Sequence, residues 1–252
     1  MVLIYATSNK GKVASLQRRL SREEIIQIDF DFPEPRTFNV ESIAKAKASF
    51  AYEHIKETDM YPREQIEDEE YHDMFGLVAN DAGFSISALN DWPESFVNFE
   101  LEKFGIEGFL KLMEGVEDRR AEFRHSLAYI CPVLDRGSGE PLVYSDSIKG
   151  TVAYEPRGTR REFHWSDLSR IFIPQNLDCT LAEMTEEEYK NARVLSGSEP
   201  SCSEVFADGY YVLKMLENAK PGMPLSKSDY RFTPKKHPYR KDNGFVHPWK
   251  KD

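Results

Sequence analysis

The five residues Val2–Ala6 are all apolar, and Thr7-Ser8-Asn9-Lys10-Gly11-Lys12 follows them at once. Val13, Leu16 and Leu20 then recur at helical spacing. So short an unbroken apolar run marks a strand buried on both faces, the situation in sheets covered by helices. Strand, polar glycine-containing loop and helix in succession predict an α/β architecture. The same arrangement aims backbone N–H groups and a helix N-terminus at an anion.

The rest of the chain alternates in the same way. A second strand is predicted over residues 25–30, running into Asp31-Phe32-Pro33-Glu34, and a helix over 41–55 with Ile43, Ala46 and Phe50 on one face. Residues 57–74 are acidic and without pattern, which predicts a solvated insertion loop. Gly76-Leu77-Val78-Ala79 resumes a buried strand that enters Asn80-Asp81-Ala82-Gly83. A helix over 106–113, strands over 126–134 and 142–154, a helix over 185–194 and a last helix over 204–218 complete the reading. Thr185, followed by three glutamates, is the predicted N-cap of the fourth of these helices. Residues 1–219 thus form one domain, and 220–252 a tail rich in Lys, Pro and aromatics.

Charge and cysteine content narrow the function. A net charge of -10 argues against a nucleic acid polymer as partner, because phosphate backbones demand a basic surface. It leaves room for a small nucleotide held by a few lysines and a cation. The three cysteines, Cys131, Cys179 and Cys202, are far apart and show no C-x-x-C spacing, so a reducing compartment is expected. No apolar run approaches the roughly 18 residues of a membrane span. The expectation is a cytoplasmic protein without a membrane partner.

Several segments in order resemble the inosine triphosphate pyrophosphatase family. Thr7-Ser8-Asn9-Lys10-Gly11-Lys12 is similar to its T-G-N-x-x-K, and Asp31-Phe32-Pro33-Glu34 to its D-L-P-E. Residues 76–84 resemble its strand and acidic turn, and residues 105–121, Arg157-Gly158-Thr159, residues 180–185 and Lys190-Asn191-Ala192 continue the likeness. The resemblance implies an elongated mixed β-sheet flanked by helices, with two lobes and a central cleft. It further implies a homodimer and Mg²⁺-dependent hydrolysis of a nucleoside triphosphate at the α–β bond. The implied substrates are the deaminated purine nucleotides ITP, dITP and XTP, and the products a monophosphate and pyrophosphate.

Residue by residue, Thr7, Ser8, Asn9 and Lys12 are candidates for the phosphate cradle, against the plainer reading of a helix start with a solvated lysine. Asp81 is the candidate catalytic acid that activates water, against an Asx-turn residue before Gly83. Metal binding is assigned to Glu41, Asp81 and Asn80, since Mg²⁺ takes one or two carboxylates plus substrate oxygens. The competing role of Glu41 is an i,i+4 pair with Lys45. Lys45 or Lys47 stands for the family's helix lysine, and Glu34 is either part of the site or a solvated strand-end carboxylate. Phe163, Trp165 and Asp167 are candidates for holding the base, against core packing for the two aromatics, and Lys190 completes the nucleotide-binding set. His164 is read as a packed or solvent-facing side chain.

Three departures from the family pattern bear on activity. Asn80 replaces an acid. The base-reading F-G-[WY]-D-P becomes Phe163-His164-Trp165-Ser166-Asp167, and the S-H-R after K-N-A becomes Arg193-Val194-Leu195-Ser196. Trp92-Pro93-Glu94-Ser95 stands where glycines usually shape the cleft wall. Two readings therefore stand side by side: a pyrophosphatase with a preserved phosphate end and a redirected base, and a catalytically inactive nucleotide-binding or assembly protein on the same fold.

Overall fold

The computed structural model describes residues 2–29, 32–58, 75–130, 140–207 and 210. Among the described residues seven strands form one mixed sheet: β1 (Val2–Ala6), β2 (Ile25–Ile28), β3 (Phe75–Ile86), β4 (Pro93–Glu94), β5 (Arg120–Ile130), β6 (Leu142–Val152) and β7 (Phe172–Pro174). The order is β2-β1-β3-β5-β6-β7, with β4 paired to the distal end of β3. β1 lies parallel to β2 and β3, while from β3 through β5 and β6 to β7 each strand runs antiparallel to the next. Helices α1 (Lys10–Arg19), α2 (Val40–Glu57), α3 (Val97–Leu112), α4 (Glu186–Lys190) and α5 (Ala192–Leu195) pack around it. The predicted α/β class and flanked mixed sheet are what the molecule has.

Alternation along the strands assigns each helix its face. Ile4, Ala6, Leu77, Ala79, Ala128 and Ile130 point to one side and pack on Ala44, Ala48, Ala51 and Ile55 of α2. The small alanines of that stripe let α2 lie close against the sheet. Leu3, Tyr5, Val78, Leu127 and Tyr129 point to the other side and pack on Leu16 and Leu20 of α1, with Phe206 and Tyr210 beside them. A separate core lies at the far end of the sheet. There Phe84, Ile86, Phe123 and Phe172 meet Ile106 and Phe109 of α3, together with Leu168, Leu181 and Met184. These cores are the two lobes.

Boundaries differ from the sequence expectations for local reasons. The second strand stops at Ile28, and α2 begins at Val40, one residue before Glu41, because Asn39 caps it by accepting from Ser42 N–H. Residues 97–104 add a first half to α3, separated from the predicted stretch by Gly105 at φ 61°. β5 begins at Arg120, six residues before its predicted start. The predicted helix over 185–194 is instead two short helices, α4 and α5, sharing Asn191 as their junction; Thr185 caps α4 in a reciprocal box with Glu188. Residues 202–207 are helical, so the last helix starts ahead of its predicted first residue. Apart from Glu57 and Thr58, where α2 ends, the predicted insertion loop lies outside the described residues, as do the 220–252 tail and the remainder of the last helix.

Candidate active site

The largest departure in local structure concerns Asp81. Asn80-Asp81-Ala82-Gly83 is no turn; it is the middle of β3, held to β5 through ten consecutive residue pairs from Leu77↔Ile130 to Ile86↔Ala121. Asp81 therefore sits on a rigid strand, opposite Ser126, at the point just beyond β1, whose last partner on β3 is Val78. Its Oδ2 is buried and accepts no hydrogen bond, and the same holds for Oδ1 of Asn80. Buried polar atoms without partners are rare and call for a ligand, ion or proton. Successive residues of a strand face opposite sides of the sheet. Asn80 is thus paired in register with Leu127 of one core, and Asp81 with Ser126 on the other face. The two do not present adjacent oxygens to a single ion.

Three charged side chains meet around Asp81. Lys12 comes from the first turn of α1, Lys47 from the sheet side of α2, and Glu34 from the segment that precedes α2. Glu34 forms an ion pair with Lys47. Burial raises the Asp81 pKa most, Lys12 and Lys47 lower it, and Glu34 raises it again, leaving it at about 6 against an ordinary 3.8. Burial likewise lowers the pKa of Lys12, Asp81 offsets part of that, and Lys47 adds to the lowering. A carboxyl that titrates near neutrality between two ammonium groups is suited to taking a proton from water.

The α1 entrance is built by its own side chains. Thr7 Oγ1 accepts from Asn9 N–H at 3.1 Å, and Asn9 Oδ1 caps the helix by accepting from Gly11 N–H at 2.9 Å and Lys12 N–H at 3.3 Å. The helix-start reading of Thr7 and Asn9 is therefore realised in full. Its effect is to fix Lys12 at the strand end. Ser8 is exposed.

Other expected site residues lie elsewhere. Glu41 pairs with Lys45 at 2.7 Å, the i,i+4 alternative, and takes no part in the charge set around Asp81. Lys190 is largely exposed and pairs with Glu186 at 2.5 Å on the outside of α4. Asp167 faces Arg160 at 3.6 Å. Trp165 packs edge-on against Phe123, with ring centroids 5.4 Å apart, and Phe163 leans on Tyr189 at 5.4 Å, so both serve first as packing of the distal lobe. His164 is buried, and its Nδ1 accepts from Arg161 N–H at 2.8 Å. Burial foremost lowers its pKa, so it is a neutral packed histidine. Where S-H-R is expected, Val194 and Leu195 are exposed. Glu34 and Lys47, which the sequence offers only as one of two alternatives each, pair with one another beside Asp81; the D-F-P-E match was the signal for the first.

A cleft of about 500 Å³ adjoins Asp81 on its own face of the sheet, with Gly83 and Ser126 at that end and Asn39 and Glu41 on one wall. Asp81 is not itself in the lining; it stands at the cleft's edge. The floor is acidic: Arg124 is shared among Asp91 and Glu122, each at 3.4 Å, and Glu94 at 3.9 Å. Glu94 keeps a left-handed backbone (φ 50°) at the point where the resemblance implies glycine. Gly83 must be glycine, because a Cβ there would lie 2.8 Å from the Glu94 carbonyl. Among the described residues no three His, Cys, Asp or Glu side chains cluster as a self-sufficient metal site. No helix among them is long and apolar enough to cross a membrane.

Known proteins resemble this chain in sequence and fold. A family model described as the Ham1 family matches residues 3–194. The chain is 32% identical over 190 residues to a dITP/XTP pyrophosphatase of Methanopyrus kandleri, covering 75% of this chain and 87% of that one. It is 30% identical over 194 residues to the Pyrococcus horikoshii dITP/XTP pyrophosphatase, covering 76% and 89%. In fold it is similar to the Staphylococcus aureus Ham1 protein, with a TM-score of 0.61 at 21% identity over 87% of this chain and 100% of that one. A HAM1 protein from Coxiella burnetii matches with the same TM-score at 23% identity, over 85% and 100%. With the family match spanning most of its length and archaeal relatives at this identity, the chain belongs to the Ham1 family.

Proposed function

We propose that this chain hydrolyses a nucleoside triphosphate at the α–β phosphate bond, releasing a monophosphate and pyrophosphate, with deaminated purine triphosphates (ITP, dITP, XTP) or a redirected base as substrate. The observation that carries this reading is Asp81, a carboxyl with a free buried oxygen and a pKa of about 6, flanked by Lys12 and Lys47. The names of the relatives, dITP/XTP pyrophosphatases, support the substrate class.

The chemistry follows from those residues. Breaking a phosphoanhydride calls for charge neutralisation and an activated water. Lys12 and Lys47 supply two positive charges, and the acidic cleft floor around Glu94 and Glu122 steers the triphosphate toward that end. Asp81 takes the proton of the attacking water. At neutral pH most of the carboxyl is ionised, yet it is a stronger base than an ordinary aspartate.

Mg²⁺ is the cofactor in this reading. The unpartnered Asp81 Oδ2 and the carboxylate of Glu34 beside it fit an ion that takes one or two protein carboxylates and completes its shell with phosphate oxygens and water. When bound, the ion would neutralise charge on the phosphates. Glu34 thus replaces Glu41 as the second carboxylate, and Asn80 drops out because it faces the opposite side of β3. On the family resemblance, the protein works as a cytoplasmic homodimer.

Asn80 and the lost S-H-R favour the alternative of a nucleotide-binding protein without turnover. The deciding experiment measures pyrophosphate release with Mg²⁺ across ordinary and deaminated triphosphates, wild type beside Asp81→Asn. Turnover that vanishes in the variant supports the hydrolase. Silence of the folded wild type across the panel overturns it and leaves the binding protein.

A further inference from the structure

The single cation that follows Lys190-Asn191-Ala192 is Arg193, and it is not available to a base. Its guanidinium is engaged by the carboxylate of Asp146, by the Glu199 carbonyl at 3.2 Å and, at the limit of contact, by the Ser147 carbonyl at 3.5 Å. Asp146 is the hub of this group, with its side chain only 2% exposed. Its Oδ1 also meets His125 Nδ1 at 3.2 Å, and its Oδ2 accepts from the backbone N–H of Cys202. Both oxygens are therefore committed. Burial pulls the Asp146 pKa up, but the His125 hydrogen bond, the charges of His125 and Arg193 and the Cys202 N–H outweigh it and hold the group well below the ordinary range.

The partners belong to different parts of the molecule. Arg193 lies on α5, whose Ala192 is packed in the distal core with Phe123, Trp165 and Tyr189. Cys202 opens the helical residues 202–207, packed with Tyr5, Leu16 and Tyr129 in the proximal core. β6 contributes Asp146, and β5 contributes His125. One carboxylate thus joins the lobe that carries Lys12 to the lobe that carries Phe163 and Trp165. His125 and Asp146 also border the cleft that begins beside Asp81.

We propose that Asp146 is a positioning residue, a clasp whose bonds to Arg193 and to the Cys202 amide fix the distance between the phosphate end and the base end of the cleft. This role rests on the triphosphate-hydrolase reading above. A bound nucleotide spans both ends, so a preset spacing between them lets the base be held while the phosphates are seated, and a loose one weakens that hold. Asp81, Lys12, Lys47 and Glu34 are all fixed by the proximal lobe, so loosening the clasp spares them and releases the base. Affinity and base discrimination fall, while the chemical step does not.

The test is steady-state kinetics on the full chain for the best deaminated triphosphate and for GTP, with Asp146→Asn and Arg193→Lys. The asparagine keeps the shape and removes the charge; the lysine keeps the charge and removes the fork. The expected result is a KM raised ~10-fold or more with kcat within ~3-fold, together with a smaller ratio of kcat/KM between the two nucleotides. Should Asp146→Asn not fold, Arg193→Lys alone reads the same split. An unchanged KM and ratio in an active enzyme overturns the clasp and leaves the hydrolase reading intact. A fall in kcat with the ratio preserved overturns it as well, since that is what mere destabilisation gives. A wild type inert toward every triphosphate removes the hydrolase reading and the clasp with it.

Discussion

Replacing Asp81 by asparagine should abolish turnover and make the protein more stable. The carboxyl has a pKa of about 6 in the folded chain against an ordinary 3.8, with burial as the main cause. Each tenfold change in proton affinity is worth about 1.4 kcal/mol, so the ionised carboxylate costs the fold at most about 3 kcal/mol at neutral pH. Asparagine resembles the protonated acid, so the loss of attraction to Lys12 and Lys47 is already contained in that figure. Asp81 is only partly buried, and a gain of about 1–2 kcal/mol is the working expectation. The sign with pH follows from proton binding. Between about pH 4 and pH 6 the folded state holds more protons on this group than the unfolded state, so wild-type stability falls as pH rises through that window and then levels. The variant lacks that fall. Urea denaturation from pH 4 to pH 8 in EDTA, which removes any cation that would hold the carboxylate ionised, reads the difference directly. An Asp81→Asn protein of equal or lower stability, with no widening of the gap between pH 4 and pH 6, would refute the desolvation account of this site.

Three further outcomes follow from the same geometry. Glu34→Gln should lower Mg²⁺-dependent turnover ~100-fold, whereas Glu41→Gln, which breaks only an exposed pair with Lys45, should lower it by no more than ~5-fold; parallel kinetics across Mg²⁺ concentrations decide this. Lys47→Met removes a charge that holds the Asp81 pKa down, so the acid limb of the kcat/KM profile should move to higher pH while kcat/KM itself falls. Trp165→Ala should cost about 2–4 kcal/mol in urea denaturation, because the indole packs edge-on against Phe123 in the distal core.

What the chain discloses of its fold depends on how each segment is covered. β1 was legible because Leu3, Ile4 and Tyr5 are buried on both faces between β2 and β3, which requires an unbroken apolar run. The start of β5 was not. There Arg120, Glu122 and Arg124 alternate with the buried Ala121 and Phe123, and Glu122 and Arg124 line the cleft, so half of the strand reads as polar. The first half of α3 was hidden for the converse reason: Phe99 and Phe104 are exposed, which spoils the helical period, and Gly105 interrupts it. Of the site, Lys12 was legible because it follows a buried strand, and Asp81 because it follows the apolar run 76–79, although that run continues as strand through it. Glu34 and Lys47 meet through the path of the 32–39 segment across the sheet, which no periodicity reports. Choosing Lys47 over Lys45 needed the orientation of α2, because only the former lies on the side that meets Glu34. The base end was legible as motif text, but its aromatics are chiefly packing.

The continuity of β3 limits how this molecule can respond to a ligand. The strand runs through the waist of the sheet, passing from a parallel neighbour at one end to β4 at the other while β5 accompanies it for ten residue pairs. Bending there would break a run of paired backbone groups, so Asp81 and Ser126 move as one piece with their strands. Any closing of the lobes is left to the helices, which can slide as shear layers over a sheet that does not fold. Asp81 then belongs to the stationary frame of the molecule, and a ligand is brought to it.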